Sequence, residues 1–208
     1  GAYANVLDYG ADPTGVSNST AAFIAALAAH DRVYAPQGIY LIADVYLAGS
    51  KVLFGDGMES TFLKASSDCT HGVLYAGQPF TRVQMLSIDG NKSNYTAHGF
   101  VSDGTLYSFA NFCQILDSVQ ITSCTGHGVY VKGGNAFALT NSRLTACDSA
   151  LVNLDSAHKY LLDNNDFEFT DDVAIDVNVT TAHGGASPTG GTIKDNWFED
   201  ITATTCIS

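Results

Sequence analysis

The chain is short of charge: of its 208 residues, Lys and Arg supply 9 and Asp and Glu 21, together 14%. A helical bundle needs long charged side chains on its wet faces, so that class is excluded. The cations are also far outnumbered, and a formal charge of −12 excludes nucleic acid and an anionic membrane surface as partners. No apolar run reaches membrane-spanning length, and no leader-like segment opens the sequence. The five cysteines are odd in number and form no Cys-x-x-Cys pair, which argues against a disulfide framework or a zinc site. Reduced, mostly buried thiols are expected, with no metal and no cofactor.

Gly, Ser, Thr and Asn fill the space that charge vacates, and they favour a β architecture with many turns. The second half of the chain repeats itself. LDSVQITSCTGHGVYV (116–131), LTNSRLTACDSALVNL (139–154), LDNNDFEFTDDVAIDV (162–177) and IKDNWFEDITATTCIS (193–208) align without gaps. Their starts are 139 − 116 = 23, 162 − 139 = 23 and 193 − 162 = 31 residues apart. The extra length of the last step falls in the Gly- and Thr-rich loop between residues 177 and 192, a possible rim or lid.

The apolar columns agree between copies: Leu116, Leu139, Leu162, Ile193; then Ile121, Leu144, Phe167, Phe198. Cys124, Cys147, Thr170 and Ile201 form a third column, and Val129, Val152, Ile175 and Cys206 a fourth. Alternating strands at this period predict an all-β solenoid, a single-stranded right-handed parallel β-helix of about 23 residues per coil. A solenoid exposes strand edges at its ends and needs a cap there. The stretch NSTAAFIAAL (18–27) supplies a short N-terminal helix for that purpose, its cap among Asn18, Ser19 and Thr20. The expected organisation is strand, turn and capping helix over 1–32, then coils over 33–208. The C-terminal end is open, as in a fragment of a longer chain.

VLDYGADPTGVSNSTAAFIAAL, VYAPQGIYLI, VLFGDGMESTFLKA and LSIDGNK together resemble the pectate-lyase-like superfamily, which includes bacteriophage tailspikes, mannuronan epimerases and related polysaccharide enzymes. The resemblance is closest to a bacteriophage tailspike or tail-fibre polysaccharide depolymerase. It implies a right-handed parallel β-helix, a homotrimer, a location on the virion tail and a glycan ligand. Neither the Tyr-Gly-Phe-Asp-Pro-His stretch of the epimerases nor the calcium aspartates of pectate lyases has a match here.

Outward positions of adjacent coils stack into columns as well. One reads Gln120, Arg143, Asp166, Trp197 and its neighbour Thr122, Thr145, Glu168, Glu199. They gather an Arg, three carboxylates and the only tryptophan on one face. Asp166, Glu168 and Glu199 are the candidate catalytic acids, since glycoside hydrolysis needs one carboxyl kept protonated beside one kept ionised. Trp197 is placed to stack on a sugar ring and Arg143 to bind a hydroxyl or carboxylate. The plain alternative is a solvated acidic column. His127, in CTGHGVYV, with Tyr130 or Lys132 is a second candidate, as a base acting on a uronate. His158, Lys159 and Tyr160 mark another corner, and the excursion over 87–100 brings Tyr95 and His98 toward a ligand or a neighbouring subunit.

With these residues, the resemblance implies a tailspike-type module that recognises and degrades a bacterial surface polysaccharide, capsule or O-antigen, by carboxylate-based hydrolysis. The alternatives are a non-catalytic virion segment for adhesion and a secreted polysaccharide lyase.

Overall fold

The computed structural model describes residues 3–104, 113–180, 190–202 and 206–208. The described residues are mostly β-strand, with a short 3-10 turn at Val6–Tyr9 and an α-helix, α1, at Thr20–Ala29. Among the described residues every pairing between strands is parallel, and strands inside a ladder pair with those one coil before and one coil after, the arrangement of a parallel β-helix.

Two strand ladders run side by side in the larger sheet and merge where Arg82–Asp89 and Ile115–Thr122 pass through both. A six-stranded sheet closes the other side, running from Val45–Leu47 to Ile175–Asn178. Along the later coils the chain turns between the two ladders at Ser118, Asn141, Asn164 and Asp195, all with φ between 53° and 55°. Left-handed backbone suits Asn and Asp, whose short polar side chains bond locally. Asn164 Nδ2 donates to Asn141 Oδ1 at 2.9 Å, and Asn141 Nδ2 to Asp117 Oδ1 at 2.8 Å. An inner ladder follows: Ser142 N donates to Asn165 Oδ1 at 3.0 Å and Asn165 N to Asn196 Oδ1 at 2.9 Å.

The columns read from the repeats are those of the structure. Leu116 pairs with Leu139, Leu139 with Leu162 and Leu162 with Ile193. Ile121, Leu144, Phe167 and Phe198 pair likewise, and Phe167 and Phe198 stack with centroids 5.3 Å apart. Cys124 and Cys147 are buried among them.

The fourth column needs a correction. Ile175 pairs with Ile207, and Cys206 is exposed. Thr170 to Ile175 is five residues, whereas their partners Ile201 to Ile207 are six apart. One additional residue moves the register by one, and with a period of two this turns Cys206 outward. Cys69 and Cys113 are only half-buried, so the expectation of mostly buried thiols holds for Cys124 and Cys147 alone.

Helix α1 buries Ala22, Phe23, Ala26 and Leu27, with the Phe23 ring edge-on to Tyr40 at 5.4 Å. Its first turn is closed by Asn18 Oδ1, which accepts from Thr20 N at 2.8 Å. Ser19 instead accepts from Asp12 N at 2.9 Å, tying the helix start to the preceding turn. Among the described residues no helix is long and apolar enough to cross a membrane.

Candidate functional site

Strands Arg143–Thr145, Asp166–Thr170 and Trp197–Ile201 lie next to one another, and their register sets the acidic face. Gln120, Arg143, Asp166 and Trp197 pair in sequence, as do Thr122, Thr145, Glu168 and Glu199. The face is not a simple solvated column. Glu168 is only 8% exposed. Arg143 Nε and Nη2 both donate to Glu168 Oε2, at 3.0 and 2.5 Å. Two donors on one oxygen fix the position of that carboxylate.

Asp166 sits beside this pair with the opposite electrostatics. Burial raises its pKa to about 6 from the usual 3.8, helped by a side-chain hydrogen bond to Glu168 and by the charges of Glu168 and Glu199, against the opposing pull of Arg143. Asp166 Oδ1 is buried without a hydrogen-bond partner. Trp197 is 64% exposed and its Nε1 donates to Glu199 Oε2 at 3.2 Å. Arg143, Asp166, Trp197 and Met58 line a cleft of about 380 Å³. Met58 arrives on a loop anchored to the neighbouring strand, where Gly57 N donates to Met85 O at 2.8 Å and Ser87 Oγ to Met58 O. Sequence reasoning missed this wall, because the loop belongs to an earlier coil without the repeat.

The six-stranded sheet carries a second cluster. His127 and Tyr130 lie 4.9 Å apart between ring centroids, and His98 stacks on His127 at 5.3 Å. His98 Nδ1 accepts from His127 N at 2.8 Å. Lys132 Nζ lies 5.0 Å from the Tyr130 ring centroid and 3.4 Å from Asp103 Oδ2. Burial, the neighbouring His127 and Lys132 lower the His98 pKa to about 4, and burial also lowers that of His127. Burial and the carboxylates of Asp155 and Asp103 push Tyr130 up to about 12. Phe100 pairs with Val129, so His98-Gly99 and His127-Gly128 occupy equal places in successive coils. Glycine is required there: a Cβ on Gly99 would stand 2.4 Å from Ile121 Cγ2 and 2.5 Å from Gly128 O. The repeated His-Gly dipeptide before an apolar run was the available signal for His98.

The remaining candidates stay apart from both clusters. His158 forms an isolated bridge with Asn135 at a corner, and Lys159 follows with φ 52°. Tyr95 packs against the core. Much of the loop between 177 and 192, expected as a rim or lid, lies outside the described residues. Among the described residues no group of three or more His, Cys, Asp or Glu is placed to hold a metal ion.

Parallel coils stacked in two sheets, with titratable groups on two outward faces, define a parallel β-helix. The chain belongs to the rhamnogalacturonase A/epimerase, pectate lyase-like family, whose model matches residues 3–206. Among solved structures it is similar to the A-module of mannuronan C-5 epimerase AlgE4 of Azotobacter vinelandii, with TM-score 0.74 and 21% identity over 84% of this chain and 53% of that one. It is also similar to ORF18 of Geobacillus virus E2, with TM-score 0.71 and 17% identity over 96% of this chain and 41% of that one. The catalytic domain of a GH87 α-1,3-glucanase in complex with tetrasaccharides gives TM-score 0.71 and 18% identity over 91% of this chain and 39% of that one. The chain thus spans about half of the first of these structures and less of the other two. A search of curated protein sequences finds no match.

Proposed function

We propose that this chain is the glycan-processing part of a tailspike-type protein, hydrolysing a bacterial surface polysaccharide at the Asp166–Glu199 face. The observation that carries the reading is Asp166, a carboxyl held near pKa 6 between two other carboxylates and beside an exposed tryptophan. In this reading protonated Asp166 is the general acid: it gives its proton to the glycosidic oxygen as the C–O bond breaks. Glu199, one strand over and two positions along, stands about 8 Å away at the backbone. Glu199 deprotonates a water for attack on the sugar carbon, the inverting arrangement, which calls for carboxyl groups about 6.5–9.5 Å apart. Burial first, then the neighbouring Glu168, raises the Asp166 pKa, and Trp197 carries the sugar ring.

The similarity to a phage protein and to a glucanase supports the assignment to a virion and to a glycan. By the same reading α1 is the cap of the first coil, the coils wind right-handed with about 23 residues each, and the full-length protein is a homotrimer, which analytical ultracentrifugation tests.

A second reading rests on the His98–His127–Tyr130 cluster. Two histidines held neutral, next to a Tyr and Lys132, suit abstraction of the proton alpha to a uronate carboxylate, the first step of a lyase or an epimerase. The two readings separate in one experiment on capsule and O-antigen polysaccharides, α-1,3-glucan and mannuronan. Hydrolysis releases reducing ends without ultraviolet absorbance and is lost in Asp166→Asn and in Glu199→Gln. Elimination gives an absorbing unsaturated uronate, survives those changes and is lost in His127→Ala. Products that survive all three substitutions overturn both readings.

A further inference from the structure

The three strands of the acidic face have two ends, and a cleft opens at each. At their starts lies the Trp197 cleft. At their far ends lies a cleft of about 450 Å³, bordered by Phe169, Asp171, Asp200, Thr202, Lys92 and Asp148. Lys92 Nζ and Asp148 Oδ1 close one side at 2.7 Å, and Thr202 Oγ1 donates to Asp171 Oδ1 at 3.1 Å on another. Glu168 and Glu199 stand between the two clefts, on the same strands.

Phe169 is out of place by every local rule. Its φ is 50°, in the left-handed region that a bulky side chain rarely adopts. The equivalent corners of neighbouring coils carry Ser123, Ala146 and Asp200, with φ between 51° and 57°. An aromatic ring there gains little from burial, since Phe169 is 51% exposed. Strain and exposed apolar area together mark a residue kept for contact with something other than the chain itself.

We propose that Phe169 and its cleft form a second sugar subsite, so that the glycan lies along the strands, from Trp197 to Phe169 across the carboxylates. This rests on the hydrolytic reading above. Asp166 and Phe169 are three residues apart on one strand, roughly 10 Å, a disaccharide's reach. The scissile bond then falls over Asp166 and Glu199, with one aromatic platform on each side. The hydroxyl-rich edges of the sugar meet Lys92, Asp148 and Thr202, while its apolar face meets the Phe169 ring.

The test uses Phe169→Asn and Phe169→Tyr with the polysaccharide panel above. Asn tolerates this backbone better than Phe, so Phe169→Asn is expected to melt at or above the parent temperature. Its KM should rise about tenfold, with Phe169→Tyr restoring the parent value. Loss of cleavage in Asp166→Asn together with an unchanged KM in Phe169→Asn overturns the subsite and leaves the hydrolytic site standing. Cleavage that persists in Asp166→Asn overturns the reading on which the subsite rests. If the parent neither binds nor cleaves any glycan of the panel, both are wrong.

Discussion

Asp166 and His98 carry shifted protons of opposite consequence, and pH separates them. Asp166 has its folded pKa raised to about 6 above the usual 3.8. The folded chain holds this proton more tightly, so the stabilisation is complete below about pH 4 and is lost as pH rises through 6. His98 has its folded pKa lowered to about 4 from 6.5. Its contribution is complete above pH 6.5 and is lost as pH falls through 4. Thermal unfolding of Asp166→Asn should therefore lack the decline of the parent between pH 4 and 6, and His98→Asn should lose less stability than the parent on acidification. Hydrolysis should fall off above pH 6 as Asp166 ionises. A parent and an Asp166→Asn variant with parallel stability profiles would show that Asp166 has an ordinary pKa. Both residue types were visible in the sequence, but their protonation was not. Nothing in the spacing of Asp166 and Glu168 says that Arg143 commits its guanidinium to Glu168 and leaves Asp166 Oδ1 without a donor.

At the scale of the element, the inner asparagine ladder holds the corner from which the acidic strands start. Asn165 is 3% exposed; its Oδ1 accepts from Ser142 N, and its Nδ2 donates to Leu139 O and Asn196 Oδ1, each at 3.0 Å. Asn165→Ala strands a buried amide and a buried carbonyl, each worth about 1–3 kcal/mol when left unpaired. Chemical denaturation should show a loss of about 2–4 kcal/mol, and Asn141→Ala, on the exposed outer ladder, well under half of that. Equal losses would mean that burial does not distinguish the two ladders. The columns of the later coils were legible because three copies have equal steps, so alignment alone placed Gln120, Arg143 and Asp166 side by side. The earlier coils do not share a step. Leu74 to Phe100 is 26 residues and Phe100 to Val129 is 29. Unequal steps hid the His98–His127 stack and the Met58 wall, and one added residue was enough to misplace Cys206.

A solenoid makes only nearest-neighbour contacts, so its stability should vary along the axis rather than being shared by all coils. Strand Ile115–Thr122 is paired on both sides, by Arg82–Asp89 and by the two strands of the next coil. Its inward residues Leu116, Val119 and Ile121 are fully buried. Strand Trp197–Ile201 is paired on one side only among the described residues, and Trp197, Glu199 and Asp200 are exposed. Among the described residues the candidate acid face thus runs from Arg143, on a strand paired on both sides, to Glu199 and Trp197, on a strand paired on one side. Hydrogen exchange should show amides of Trp197–Ile201 opening far more readily than those of Ile115–Thr122. A bound glycan that spans Asp166, Trp197 and Phe169 ties the last strand to its neighbour and must slow exchange there, while leaving Ile115–Thr122 unchanged. Protection confined to the strand Val129–Lys132 would instead place the glycan on the histidine face. Uniform exchange along the axis would show that the coils open together and that the last strand owes its order to something other than its single neighbour.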